Sequence, residues 1–99
     1  MQAPTPQIAE KLPYLPDKPG VYLWKNADNE VIYVGKALSL KHRVKSYLSS
    51  GAKDPKTEQL VKHIAALDYI ITASENEAFL LEANMIKRFQ PKYNVMLKD

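Results

Sequence analysis

The chain has 99 residues, enough for one hydrophobic core and too few for two domains of ordinary size. Its 45% apolar and 25% charged residues suit a soluble globular fold, and no apolar run approaches the ~20 residues of a membrane span. With no cysteine, a disulfide framework, a thiolate zinc site and a thiol nucleophile are all excluded. The opening stretch MQAPTPQIAEKLPYLP lacks the apolar core of a signal peptide, so a cytoplasmic address is expected. The net charge of +3 is small but unevenly spread. Seven basic residues (Lys36, Lys41, Arg43, Lys45, Lys53, Lys56 and Lys62) fall between positions 36 and 62 against two acids, Asp54 and Glu58. Such a run reads either as a solvated helical face or as a surface for a polyanion.

Pro4, Pro6, Pro13 and Pro16 leave room only for a short helix around Gln7 to Leu12, a lead-in over residues 1–12. Pro19-Gly20 then starts a strand, Val21 to Lys25, and Asn26 to Asn29 is a turn by composition. Glu30 to Gly35 is the returning strand. Pairing Lys25 with Glu30 around this four-residue loop makes an opposite-charge pair and sets Tyr22 facing Tyr33. Ser39 caps a helix through about Ser49 with Leu40, Val44, Tyr47 and Leu48 inward. After a break at 49–52 and a loop through Pro55, a second helix runs from about Thr57 to Ala66, burying Leu60, Val61, Ile64 and Leu67. The β-branched run Asp68 to Ala73 is a third strand. Ser74 and Glu77 form a capping box for the longest helix, about Glu75 to Gln90, which Pro91 stops. The order ββααβα after a short N-terminal helix predicts an α+β fold, a small three-stranded, mainly antiparallel sheet flanked by helices over residues 13–99.

Two residues on the helices are oddly placed. The spacing of Phe79, Ala83, Ile86 and Phe89 predicts the core-facing stripe of the last helix, and Glu82 lies at the edge of that stripe or within it. A carboxylate there is costly unless held. It either pairs with Lys87 or Arg88, or it binds a hard divalent cation, which prefers oxygen donors. Arg43, between Leu40 and Tyr47, either covers apolar surface with its stem or grips phosphate oxygens with its planar fork. His42 and His63 are read as exposed.

Gly20-Val21-Tyr22 followed by Tyr33-Val34-Gly35 resembles the paired signature of the GIY-YIG nucleases, with valine in place of isoleucine in both halves. Lys36, Arg43, Tyr47, Glu82 in EAFLLEANMIKRFQPKYN, and Asn94 stand where that family keeps its active-site positions. The segments VGKALSLKHRVKSYL and NEAFLLEANMIKRFQPKYNVMLKD are similar to the UvrC branch, the nuclease subunit of bacterial nucleotide excision repair. The resemblance implies an endonuclease that cuts double-stranded damaged DNA 3′ to the lesion, with one divalent cation, Mg2+ or Mn2+, on Glu82. It implies Tyr33 as general base, Tyr22 and Tyr47 as orienting hydroxyls, Lys36 to ease Tyr33 toward tyrosinate, and Arg43 on the phosphate. Asn94 would hold the site together by hydrogen bonding, and Gly35 would let the DNA backbone approach closely. Lys36, Lys41, Arg43 and Lys45 would contact DNA, UvrB and, upstream, UvrA would be partners, and the isolated domain would be monomeric. UvrC proteins continue into further nuclease and DNA-binding regions, so the resemblance implies an N-terminal domain of a longer protein. A catalytically silent nucleic-acid-binding module and a stand-alone repair nuclease related to UvrC are the competing readings.

Overall fold

The computed structural model describes residues 5–49, 51 and 53–96. Helix α1 (Pro6–Lys11) and a 3-10 turn (Leu12–Tyr14) lead into strands β1 (Gly20–Lys25) and β2 (Val31–Ala37). Helices α2 (Leu40–Leu48) and α3 (Pro55–His63), strand β3 (Ala66–Ile71), and helices α4 (Glu75–Phe89) and α5 (Lys92–Met96) follow. The expected α+β architecture is present: one antiparallel sheet in the order β2-β1-β3, flanked by helices. Among the described residues no helix is long and apolar enough to cross a membrane.

Strand alternation gives β1 two buried faces. Tyr22 and Trp24 join Ile8, Leu40, Val44, Tyr47, Leu60 and Leu67 on the side of α1, α2 and α3. Val21 and Leu23, with Val34, meet Ala78, Leu81, Met85 and Ile86 of α4 on the other. The lead-in helix belongs to this core, since Ile8 is buried. The first turn of α2 is tied down twice: Ser39 Oγ accepts from His42 N–H, and Lys18 and Pro16 carbonyls accept from Leu40 and Lys41 N–H.

Four expectations shift. The hairpin register pairs Tyr22 with Gly35 and Trp24 with Tyr33, not Tyr22 with Tyr33. A bulge then sets Lys25 against Val31, because Asn26 Oδ1 gathers the N–H groups of Asp28 and Glu30 into a tight turn. Lys25 bonds Asp68 at 2.6 Å instead of Glu30, and Asp68 also holds Lys11 at 2.8 Å. Helix α3 starts earlier and ends earlier than expected. Asp54 caps it through Thr57 N–H, it stops at His63, and Leu67 lies on β3 opposite Trp24. The inward stripe of α4 is Ala78, Leu81, Met85 and Ile86, while Phe79, Ala83 and Phe89 are exposed. The heavy phenylalanines pointed to the wrong phase; the small Ala78 lets the helix approach the sheet. Glu82 lies inside that corrected stripe, four after Ala78 and four before Ile86. His42 and His63 are exposed as expected, but His42 lies 3.8 Å from Asp17 and His63 stacks on Tyr93.

Candidate active site

Strand β2 is an outer strand, and its free edge carries unpaired backbone groups. Asn94 on α5 answers two of them: its Oδ1 accepts from Val34 N–H at 2.8 Å and its Nδ2 donates to Val34 carbonyl at 2.8 Å. Two residues further on, Lys36 N–H donates to Glu82 Oε2 at 3.0 Å. Glu82 is therefore half-buried and held by the strand, not by Lys87 or Arg88. Its second oxygen makes no hydrogen bond to a described residue.

Across the same end of the sheet, Tyr22, Tyr33 and Tyr47 cluster with ring centroids 5.7 to 6.4 Å apart. The Tyr22 and Tyr47 hydroxyls share a hydrogen bond of 2.9 Å, and Arg43 Nε donates to the Tyr22 hydroxyl at 3.3 Å. The Arg43 guanidinium also lies 5.2 Å from the Tyr47 ring centroid, within cation–π range. Spacing on α2 makes this possible, since Arg43 and Tyr47 are one turn apart and share a flank.

Burial pushes all three tyrosines above their ordinary value, and their mutual proximity adds to this for Tyr33. Arg43 is the cation that opposes the rise at Tyr33, and Glu82 adds to it. At neutral pH the cluster is a set of phenols. Lys36, the cation expected to ease Tyr33, has an exposed side chain.

Tyr22, Tyr33, Arg43 and Tyr47 form one cluster, and Glu82 and Asn94 hold β2 through Lys36 N–H and the backbone of Val34. Gly35 has a different task from the one expected. It is buried, and a Cβ there would run into the Tyr22 hydroxyl and ring, so the space belongs to Tyr22 and not to DNA. Lys41 and Lys45 are exposed on α2, but helical geometry sets them roughly 160° round from Arg43. On the Arg43 flank, a cavity of about 320 Å³ is lined by Arg43, Ser46, Tyr47, Lys53, Asp54 and Thr57. Ser46 and Lys53 were not singled out from the sequence. The i+3 spacing of Ser46 from Arg43 was the available signal for the first; nothing local marks Lys53 within the basic run.

Among the described residues no three His, Cys, Asp or Glu side chains converge. A single carboxylate with one oxygen to spare is a poor zinc site. It suits a hard divalent cation that keeps most of its waters and takes one or two carboxylates.

The chain's similarity to known proteins agrees with this geometry. Residues 18–95 match the family model of the UvrC-like GIY-YIG domain. UvrABC system protein C of Alkaliphilus metalliredigens is 58% identical over 93 residues, 93% of this chain and 15% of that protein. The Pediococcus pentosaceus protein of the same name is 55% identical over 91 residues, 92% of this chain and 15% of its own length. The chain thus spans about 15% of the length of these curated relatives. The crystal structure of the GIY-YIG N-terminal endonuclease domain of UvrC from Thermotoga maritima, bound to its catalytic magnesium, superposes with a TM-score of 0.77. It is 39% identical and covers 90% of this chain and 97% of that one. A Tyr-to-Phe point mutant of that domain, also bound to the catalytic divalent cation, gives 0.78 at 38% identity, over 90% of this chain and 96% of its own. With its paired signature, its aromatic–arginine cluster and the carboxylate at its strand edge, this chain belongs to the UvrC-like GIY-YIG domain family.

Proposed function

We propose that this domain is a divalent-cation-dependent endodeoxyribonuclease that cuts duplex DNA 3′ to a lesion in bacterial nucleotide excision repair, acting with UvrB after UvrA has found the damage. The observation that carries the reading is Glu82. Its carboxylate is fixed on Lys36 N–H, has an oxygen to spare, and lies close enough to Tyr33 to act on its charge.

The roles follow from what each group has free. Arg43 spends Nε on Tyr22, which leaves its two terminal amino groups to hold non-bridging phosphate oxygens, where a fixed cation stabilises developing charge. The Tyr22–Tyr47 hydrogen bond fixes the orientation of both hydroxyls. Tyr33 is assigned the base. Its upward-shifted phenol makes a strong base once deprotonated and a scarce one beforehand. Glu82 would hold the divalent cation, which supplies Lewis acidity toward the phosphate and the leaving 3′ oxygen and favours the deprotonated forms of nearby groups. Lys36, exposed beside Glu82, is left to grip the DNA strand.

The test is nicking of a lesion-containing duplex, with UvrA and UvrB present, by the protein that carries this domain. The parent should incise 3′ to the lesion and Glu82→Ala should bind the duplex without making that incision. Incision 3′ to the lesion by Glu82→Ala would overturn the reading, and binding without that incision by the parent would favour the silent module.

A further inference from the structure

The cavity beside Arg43 has no part in the roles above, yet it opens from the same cluster. Its walls are Arg43, Ser46 and Tyr47 from α2, and Lys53, Asp54 and Thr57 from the loop and first turn of α3. Resting on the nuclease reading, we infer that this cavity seats a backbone phosphate of the cut strand next to the scissile one, with the Lys53 ammonium as its main contact.

Four observations carry the inference. Lys53 is already in position: its Nζ donates to the carbonyls of Ser49 at 2.7 Å and Gly51 at 3.3 Å. An ammonium has three donors, so among the described residues one remains for a ligand, and little side-chain freedom is left to lose on binding. The charged lining residues are two cations, Arg43 and Lys53, and one anion, Asp54. Asp54 is committed to α3, with one oxygen accepting from Thr57 N–H and the other from Thr57 Oγ1, both at 2.9 Å. The N-terminus of α3 is thereby taken, and the anion's attraction falls to Lys53 and Arg43. The Ser46 hydroxyl, which donates to Arg43 carbonyl at 2.6 Å, still has lone pairs but no proton to offer, so it shapes the cavity and does not anchor the phosphate. Finally, Lys41 and Lys45 lie on the opposite flank of α2, so a strand tracking past Arg43 meets Lys53 next. At about 320 Å³ the cavity has room for a phosphate with part of its sugar.

The experiment uses the isolated domain, since a domain of matching extent from the Thermotoga protein has been crystallised alone. Binding of a short duplex is followed by fluorescence anisotropy across a salt series for the parent, Lys53→Gln and Lys53→Arg. Losing one phosphate contact lowers the slope of log affinity against log salt by about 0.9, so the affinity drop between about 50 and about 200 mM salt shrinks by roughly 3.5-fold. Lys53→Gln should show that change, and Lys53→Arg should restore the parental slope. Thermal melts verify that Lys53→Gln leaves the fold in place. A second arm uses the protein that carries this domain, with UvrA and UvrB, on lesion-containing duplexes in which one phosphate at a time is replaced by a neutral methylphosphonate. One position beside the scissile phosphate should slow 3′ incision by the parent and have no further effect in Lys53→Gln. An unchanged salt slope in Lys53→Gln, or equal methylphosphonate penalties in parent and variant, overturns the inference and leaves the nuclease reading standing. The nuclease reading fails separately, if Glu82→Ala retains incision. A parent whose DNA binding ignores salt overturns both.

Discussion

Alanine at position 35 would put a methyl group where the Tyr22 hydroxyl and ring already sit, with Cε1 only 2.9 Å away. Tyr22 has little room to yield. It is 1% exposed and packed edge-on against Trp24 and Tyr47, with centroids 6.3 and 5.7 Å away. No glycine of the chain has a positive φ, so alanine suits the backbone. By restricting the unfolded chain it would by itself add ~0.4–1 kcal/mol of stability. Overpacking a dense core costs ~1–3 kcal/mol, so the clash wins and the net loss is about 0.5–2 kcal/mol. At ~4–8 °C per kcal/mol for a domain of this size, Tm should drop by roughly 3–15 °C in a circular-dichroism melt. Displacing Tyr22 also pulls its hydroxyl from Tyr47 and Arg43, so incision should fall by more than the unfolded fraction explains. Gly51→Ala is the control, because its Cβ would meet only Ser49 Oγ at 3.9 Å, and its melt should be parental or a few degrees higher. A Gly35→Ala domain with parental Tm and parental incision would refute the idea that this glycine exists to seat the Tyr22 ring.

Removing only the hydroxyl in Tyr33→Phe should leave the melt unchanged and cut incision by ~10²- to 10⁴-fold, the usual contribution of a general base; a loss below about tenfold moves the base to Tyr22. Glu82→Ala and Glu82→Gln should lose divalent binding by calorimetry while the domain stays folded, since the glutamine oxygen can still accept from Lys36 N–H and the N–H that alanine releases is at an exposed residue that water can reach. A Glu82→Ala domain that unfolds or still binds the ion defeats the metal-ligand assignment. Asp68 carries a pH dependence: burial pushes its carboxyl up, but hydrogen bonds and charge from Lys11 and Lys25 outweigh that and hold it below the ordinary range. A depressed folded pKa means stability present above the unfolded value of ~3.9 and lost as pH falls through the folded one. Melts from neutral to acid pH should therefore show a shallower acid loss in Asp68→Asn than in the parent, and identical acid limbs would exclude this pair of bridges as a cause.

What could be read from the residues was mostly what is local. Ser39, Ser74 and the hairpin's turn composition located the elements, and Tyr22, Tyr33, Arg43 and Tyr47, which the resemblance groups together, do meet in one cluster. The errors lay where a long-range contact decides. Strand register depends on the Asn26 side chain and a bulge, so Tyr22 met Gly35 and not Tyr33. The phase of α4 depends on which residue is small enough to touch the sheet, and two exposed phenylalanines imitate a buried stripe. Asn94 is expected to hold the site by hydrogen bonding, as it does, but no local pattern names Val34, 60 residues away, as its partner.

Both outer strands are finished by a side-chain amide. Asn94 takes the N–H and carbonyl of Val34 on β2, and Gln7 does the same for Leu67 on β3, at 2.9 and 3.0 Å. Each carboxamide copies one peptide unit of a strand that is not there. A sheet this small would otherwise offer both flanks as templates for another chain; plugged in mid-strand, it resists being lengthened. On the β2 side the plug and the candidate chemistry share a rim, with Glu82 on Lys36 two residues from Asn94 on Val34. Any segment zipping onto β2 would have to evict both side chains, so self-association through that flank and occupancy of the site are mutually exclusive states of the same strand.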